Sequence, residues 1–477
     1  MSQAGKWIVT AGILLSLSLP GKGQTAPQGI EDRYKKTAQQ IIDAALSDTD
    51  GYADLTYLCD HIGNRINGSE PLQQAVVWAA KRMAEKGLTN VSTPPVSVPH
   101  WIRGHEEAFI VSPISRKLHI LGAGMSVGTP ADGISAEIVA VSSFEELEAL
   151  GASQVKGKIV VFNEPWKDYG QAVAYRVTGG SRAAKLGAVA VLFRSATGVS
   201  LQSPHTGTLF YDDKAPKIPV AALSVEDAAL LARLAGEKHP VKVHLKMDAR
   251  QEKDAESANV IGELRGSEDP EHIVVIGGHI DSWDVGQGAQ DDGAGIIASL
   301  EAVTLLKKLG LQPRRTIRVV FWTNEESGAS GAKAYRQWVG DKVKNHVAAI
   351  EMDTGAEAPI GIGFGGHFGG KSSANTTDKK SLELVKQIAA LLKPIGADSV
   401  QAGGGGTDVD PITAEGVAGL RPATVGTKYF DWHHTEADTL DKVNLEDFRK
   451  NIAELSVLTY ILADMPEVLV GEKSQKE

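Results

Sequence analysis

Apolar positions recur with a helical period over Gln28–Leu46 and Gln73–Lys86, the second run ending at Gly87. Val91–Val111 is rich in Val, Pro and aromatic residues and predicts extended backbone. From about Gly122 to Met247 the pattern shortens. β-like runs at Ala136–Val141, Gly157–Phe162, Ala188–Phe193 and Val241–Leu245 alternate with small helices at Phe144–Leu150 and Gly180–Leu186, predicting a compact module of about 120 residues. After Ser257 strands and helices alternate. Ile273–Ile276 is a short continuous apolar run, as expected of a strand covered on both faces. Helix Gly295–Leu309, strand Thr316–Thr323, helix Gly331–Val339, strand Val347–Met352, helix Ser381–Leu392 and a long helix Leu445–Met465 follow. This alternation predicts an α/β fold with a mostly parallel or mixed sheet, helices on both faces and a small inserted β-rich α+β domain. In such sheets chemistry gathers beyond the carboxyl ends of the strands.

The length of 477 residues suggests about three units. They are read as a signal segment over 1–23, a first part of the main domain over 29–121, an insert over 122–250, and a second part over 251–470 carrying the site. Met1–Lys6, the apolar Trp7–Leu19 and the small residues Gly21 and Gly23 have the three-part layout of a secretory signal peptide, which predicts a secreted or periplasmic protein. The apolar stretch is too short to span a membrane, which takes about 20 residues. Asn67-Gly68-Ser69, Asn90-Val91-Ser92 and Asn375-Thr376-Thr377 match the glycosylation acceptor pattern.

Composition then narrows the classes. Hydrophobic residues at 42% and charged residues at 23% exclude wholesale disorder. A net charge of −10 argues against a nucleic-acid or anionic-membrane surface. A single cysteine, Cys59, excludes an intramolecular disulfide and a cysteine-rich zinc module, and reads as a small buried hydrophobe. Glycine, at 51 residues, exceeds the usual share of about 7%.

The metal-capable residues fall at one edge of the predicted sheet. His279 and Asp281 lie just past strand Ile273–Ile276, Asp291-Asp292 precede helix Gly295–Leu309, and Glu325-Glu326 close strand Thr316–Thr323. Asp353 closes strand Val347–Met352, and His433-His434 sit in a late loop. Two imidazoles and several carboxylates without a thiolate suit Zn²⁺, with Mn²⁺ or Co²⁺ as substitutes. A ligand set of His279, Asp291, Glu326, Asp353 and His434 carries three negative charges. Two divalent ions and a bridging hydroxide balance it, whereas one ion leaves a crowded anionic site. One acid of Glu325-Glu326 is then left to take a proton from the attacking water. Asp281 reads as the group that orients His279 through its other ring nitrogen.

These motifs occur in a recognisable order: Gly278–Asp284, Gly288–Gly295, Asn324-Glu325-Glu326, Glu351-Met352-Asp353 and His434-Thr435. They resemble the co-catalytic di-zinc aminopeptidase/carboxypeptidase family. Pro99–Gly104 and the pattern Gly278–Gly288 look most like its carboxypeptidase Q-like branch. The resemblance implies that Asp291 bridges two zincs, that His279 and Asp353 complete one site, and that Glu326 and His434 complete the other. It implies Glu325 as general base, dipeptides or short peptides with a free N-terminus as substrates, and a homodimer. Gly157–Val161 and Gly187–Leu192 resemble the protease-associated domain inserted in many members, whose usual role is shaping access or contacting partners. His433 is the alternative to His434, and Tyr429 a candidate for steadying the oxyanion.

Rival readings are a single-zinc glutaminyl cyclase-like enzyme and a non-enzymatic receptor on the same scaffold. Gly361–Gly366 fits G-x-G-x-x-G and Gly365–Ser372 fits G-x-x-x-x-G-K-[ST], but the polar Ser373–Asp378 that follows has no helical period, so both read as chance matches. His61, His119, His205 and His239 read as ordinary surface or core residues.

Overall fold

The computed structural model describes residues 29–237, 239–365 and 378–471, with Met1 and Gly5. The expected signal segment, the acceptor site at Asn375 and most of the second glycine-rich match lie outside the described residues.

An eight-stranded mixed sheet forms the larger unit, in the order Thr89–Ser92, Val260–Leu264, Arg315–Trp322, Asp269–His279, His346–Glu351, Gly419–Thr424, Pro359–Phe364 and Ser399–Ala402. Its centre is parallel: Asp269–His279 lies between Arg315–Trp322 and His346–Glu351 and runs with both. Alternate residues serve opposite faces, as strand geometry dictates. Val274, Ile276, Ile317, Val319 and Ile350 join the core beneath helices Ile30–Leu46, Ala294–Lys308 and Leu445–Asp464. Ile273, Val275, Val320, Trp322 and Ala349 join the opposite core, with Tyr335 and Val339 of helix Ser330–Val339. This is the α/β arrangement that the alternation predicts, with helices on both faces. Beyond His346–Glu351, the strands Gly419–Thr424 and Pro359–Phe364 and the edge strand Ser399–Ala402 are too short or too rich in glycine and proline to be read from periodicity.

The helix ends are chemically marked. Ser69 Oγ accepts from Leu72 N at the start of helix Glu70–Glu85, and Asn444 Oδ1 accepts from Glu446 N and Asp447 N at the start of Leu445–Asp464. Cys59 is buried in the larger core, and burial pushes its thiol up to about 12.

A second eight-stranded sheet runs Arg116–Leu118, Glu106–Ser112, Lys242–Met247, Ile134–Val141, Ile159–Phe162, Ala190–Arg194, Val220–Leu223 and Ile120–Gly122. It draws its first strands from upstream of Gly122. The helix read over Gly180–Leu186 is longer, Tyr169–Lys185, and a further helix, Val225–Ala235, follows Val220–Leu223. Pro99–Gly104 lies where the two units meet. Trp101 packs with Trp283 of the larger unit, and Arg103 forks onto Asp284 at 2.8 and 2.6 Å. Among the described residues no helix is long and apolar enough to cross a membrane.

Candidate metal centre

Three adjacent parallel strands end side by side, and each ends in metal-capable residues. His279 is the last residue of the central strand Asp269–His279. Glu325-Glu326 follow Arg315–Trp322 on one side, and Asp353 follows His346–Glu351 on the other. Asp291 and Asp292 lie in the turn Ala289–Gly293 that leads into helix Ala294–Lys308. His433 and His434 follow the short helix Tyr429–Trp432.

Asp291 stands at the middle. Its Oδ1 lies 3.1 Å from His279 Nε2, and its Oδ2 lies 3.1 Å from His434 Nε2. His279 Nε2 is also 3.5 Å from Asp353 Oδ1, and His434 Nε2 is 3.1 Å from Glu326 Oε2. All five residues predicted as ligands thus meet, in two sets that share Asp291. His433 Nε2 lies 3.3 Å from Asp291 Oδ2 and stacks on His434 at 3.5 Å. Unlike His434, it is not paired with Glu326.

This donor set suits divalent metal. Two atoms each about 2.1 Å from one tetrahedral ion stand roughly 3.4 Å apart, which is the spacing seen here. The buried Glu326 Oε1 receives no hydrogen bond. Burial and the adjacent Asp291 hold the Glu326 carboxyl up at about 7, and burial with Asp353 and Glu326 nearby raises Glu325 to about 8. So many acids in one buried place call for a cation.

The surrounding shell was only partly legible. His279 Nδ1 lies 2.9 Å from the main-chain oxygen of Asp281 and 3.9 Å from its carboxylate. The orienting acceptor is therefore the main chain, not the Asp281 side chain that the sequence suggests. The carboxylate instead accepts from Glu325 N at 3.1 Å, Glu326 N at 3.4 Å and Asn67 Nδ2 at 2.9 Å, holding the turn that carries both glutamates. Asn67, one of the three glycosylation matches, is buried in that role. Asp292 accepts from His279 N at 3.1 Å, and Asp438 accepts from Gln290 N and Asp291 N at 2.7 and 3.2 Å. A Cβ at Gly278 or Gly295 would stand 1.9 or 2.0 Å from an Asp292 oxygen, so glycine is required at both.

A cavity of about 440 Å³ opens onto Asp291, Glu325, Glu326, Asp353 and His434. Arg421, Tyr429 and Phe430 line one part of it, and Tyr169, Arg176 and Thr208 of the second unit line another. Tyr169 stacks on Phe430 at 4.7 Å. Nothing in the periodicity marks Arg176 or Thr208 as wall residues, because their role depends on how the units dock. The described part of the first glycine-rich match is strand Pro359–Phe364, where a Cβ at Gly363 would meet the Gly403 oxygen at 2.3 Å. Its glycines serve close strand packing.

Residues 259–458 match the model of Peptidase family M28. The chain is 42% identical to carboxypeptidase Q of Xenopus laevis over 439 residues, covering 91% of each. The chain belongs to peptidase family M28. That membership makes it a zinc-dependent exopeptidase acting on peptide substrates. Among solved structures, an M28 peptidase precursor from Shewanella amazonensis SB2B is 33% identical, with a TM-score of 0.87, covering 94% of this chain and all of that one. A zinc aminopeptidase from Bacillus subtilis, 20% identical, shares the fold with a TM-score of 0.64 over 87% of this M28 chain and 94% of its own.

Proposed function

We propose that this M28 peptidase is an exported di-zinc exopeptidase that hydrolyses dipeptides or short peptides with a free N-terminus. The observation that carries the two-metal reading is Asp291, whose two carboxylate oxygens each face a different imidazole at 3.1 Å. His279, Asp353 and Asp291 would hold one ion; Glu326, His434 and Asp291 the other. Two divalent ions would bring a water's pKa from 15.7 toward about 7 and polarise the scissile carbonyl.

The chain's own residues do the rest. Glu325 stands beside the candidate ligands at the cavity wall, and it takes the proton from the attacking water and returns it to the leaving amine. Asp281 fixes the main chain of Glu325 and Glu326 and so keeps base and ligand in register. The cavity, lined on one side by Tyr169 and Arg176, is where the substrate would sit against Glu325 and the candidate ligands. Export is supported by the apolar Trp7–Leu19.

A panel of free dipeptides, N-blocked dipeptides and aminoacyl-anilides, assayed with and without a chelator alongside metal analysis, tests the reading. Chelator-sensitive cleavage of free dipeptides with two zincs per chain is expected. Cleavage of N-blocked peptides would reject the free-amine requirement, and about one zinc per chain would favour the cyclase-like alternative.

A further inference from the structure

The two candidate imidazole ligands are oriented in different ways. His279 finds the acceptor for its Nδ1 two residues along its own chain, at the Asp281 main-chain oxygen, 2.9 Å away. His434 finds none in its own loop. Its Nδ1 faces the main-chain oxygen of Thr206, in the second unit, at 3.3 Å. The same residue grips the His434 backbone, Thr206 N donating to His434 O at 2.9 Å. His434 has φ 61, a left-handed conformation that an L side chain adopts only when held. Thr206 O is the nearer of the two groups at Nδ1 and the only one that can accept, Arg176 Nη1 being 3.5 Å away and turned to Thr206 O; a proton on Nδ1, donated to Thr206, leaves Nε2 with its lone pair toward Asp291 and Glu326.

Thr206 is held in turn by one side chain. Arg176 Nη1 donates to Thr206 O at 3.0 Å and stands 3.5 Å from His434 Nδ1, while Nε donates to Thr208 O at 3.1 Å and Nη2 to the Tyr169 hydroxyl at 3.2 Å. Gly207, between the two carbonyls, has φ 131, and a Cβ there would stand 2.1 Å from Arg176 Nη1. Only glycine lets the chain wrap the guanidinium. Arg176 is 6% exposed, and none of the ion pairs among the described residues includes it. A buried cation without a counter-ion is costly. Here its donors are directed at the loop that carries the acceptor for His434.

We propose that the second unit completes the metal centre: Arg176, acting through the Thr206 main chain, is a positioning residue for His434. The proposal rests on the reading of His434 as a ligand. It makes the two ions unequal, because the His279 set is oriented from within its own strand and the His434 set from across the joint.

The test uses the full chain. The metal-free protein and its Arg176→Met variant are titrated with Zn²⁺, and separately with Co²⁺ followed by visible absorption, against a competing chelator. The variant should bind one ion 10–100-fold more weakly, the usual loss when a ligand's hydrogen-bond acceptor is disturbed. The other ion should bind as in the wild type. Arg176→Lys should recover part of the loss, since an ammonium can still donate to Thr206 O. Gly207→Ala, whose Cβ displaces the same guanidinium, should reproduce the one-site loss and decides the matter if Arg176→Met does not fold. Two ions bound with wild-type affinity, or both weakened equally in a folded variant, overturns the proposal. A wild-type chain that takes up only one ion sinks the two-metal reading instead; the clamp is then judged on whether Arg176→Met weakens that ion.

Discussion

Both oxygens of Asp291 face imidazoles, and Glu325 sits beside Glu326 without sharing its partner His434. Two outcomes follow at this scale. Glu325→Gln keeps the volume and the turn but removes the proton acceptor, so it should retain both ions in metal analysis and lose about 10²–10⁴-fold in kcat on dipeptides. Wild-type turnover by Glu325→Gln would show the base to be misassigned. Asp291→Ala removes the group common to both sets and should release metal altogether, where loss of one ion alone would argue against a bridge. The candidate ligands that the fold brings together were legible from residue type and from their place at strand ends. The residues that hold them were less so: Asn67 looks like a glycosylation site, Asp438 like a loop acid, and the Asp281 carboxylate like a histidine partner. Main-chain donors and acceptors decide these roles, and they have no signature in the sequence.

The helices and central strands of the larger unit lie where their apolar pattern puts them, whereas in the second unit Tyr169–Lys185 is longer than its pattern and Val225–Ala235 is not predicted. The last helix, Leu445–Asp464, shows where pattern and packing part. Glu454 points into the core at 0% exposure, and neither carboxylate oxygen has a hydrogen-bond partner. Burial raises its carboxyl well above the ordinary 4.5, so the folded protein keeps it protonated while the unfolded chain ionises. Its contribution to stability is therefore fullest below pH 4.5 and falls as pH rises toward the folded value. Glu454→Met should raise stability by about 1–3 kcal/mol near pH 7 and by less at pH 5. Denaturant unfolding at the two pH values checks this, and an equal gain at both would show that ionisation is not the cause.

Across the whole molecule, the two units meet through Trp101, Trp283, the Arg103–Asp284 fork and the Thr206–His434 contacts. Metal that binds only the folded arrangement stabilises by mass action. Free zinc at about 1,000 times its Kd should add roughly 4 kcal/mol, so chelation should lower Tm, and zinc restored in excess should recover it. A Tm indifferent to chelation would mean that the ligand cluster forms no metal site. By itself the sequence determined most of the elements, the buried strands and the gathering of histidines and carboxylates at one sheet edge, because period, turn residues and residue type act over a few neighbouring positions. Tertiary structure alone decided that Asp291 stands between two histidines, that Asp281 steadies the glutamates and that Arg176 lines the cavity. Those are distances between residues far apart in the chain, set by strand order and by the docking of one unit on the other, which no local pattern encodes.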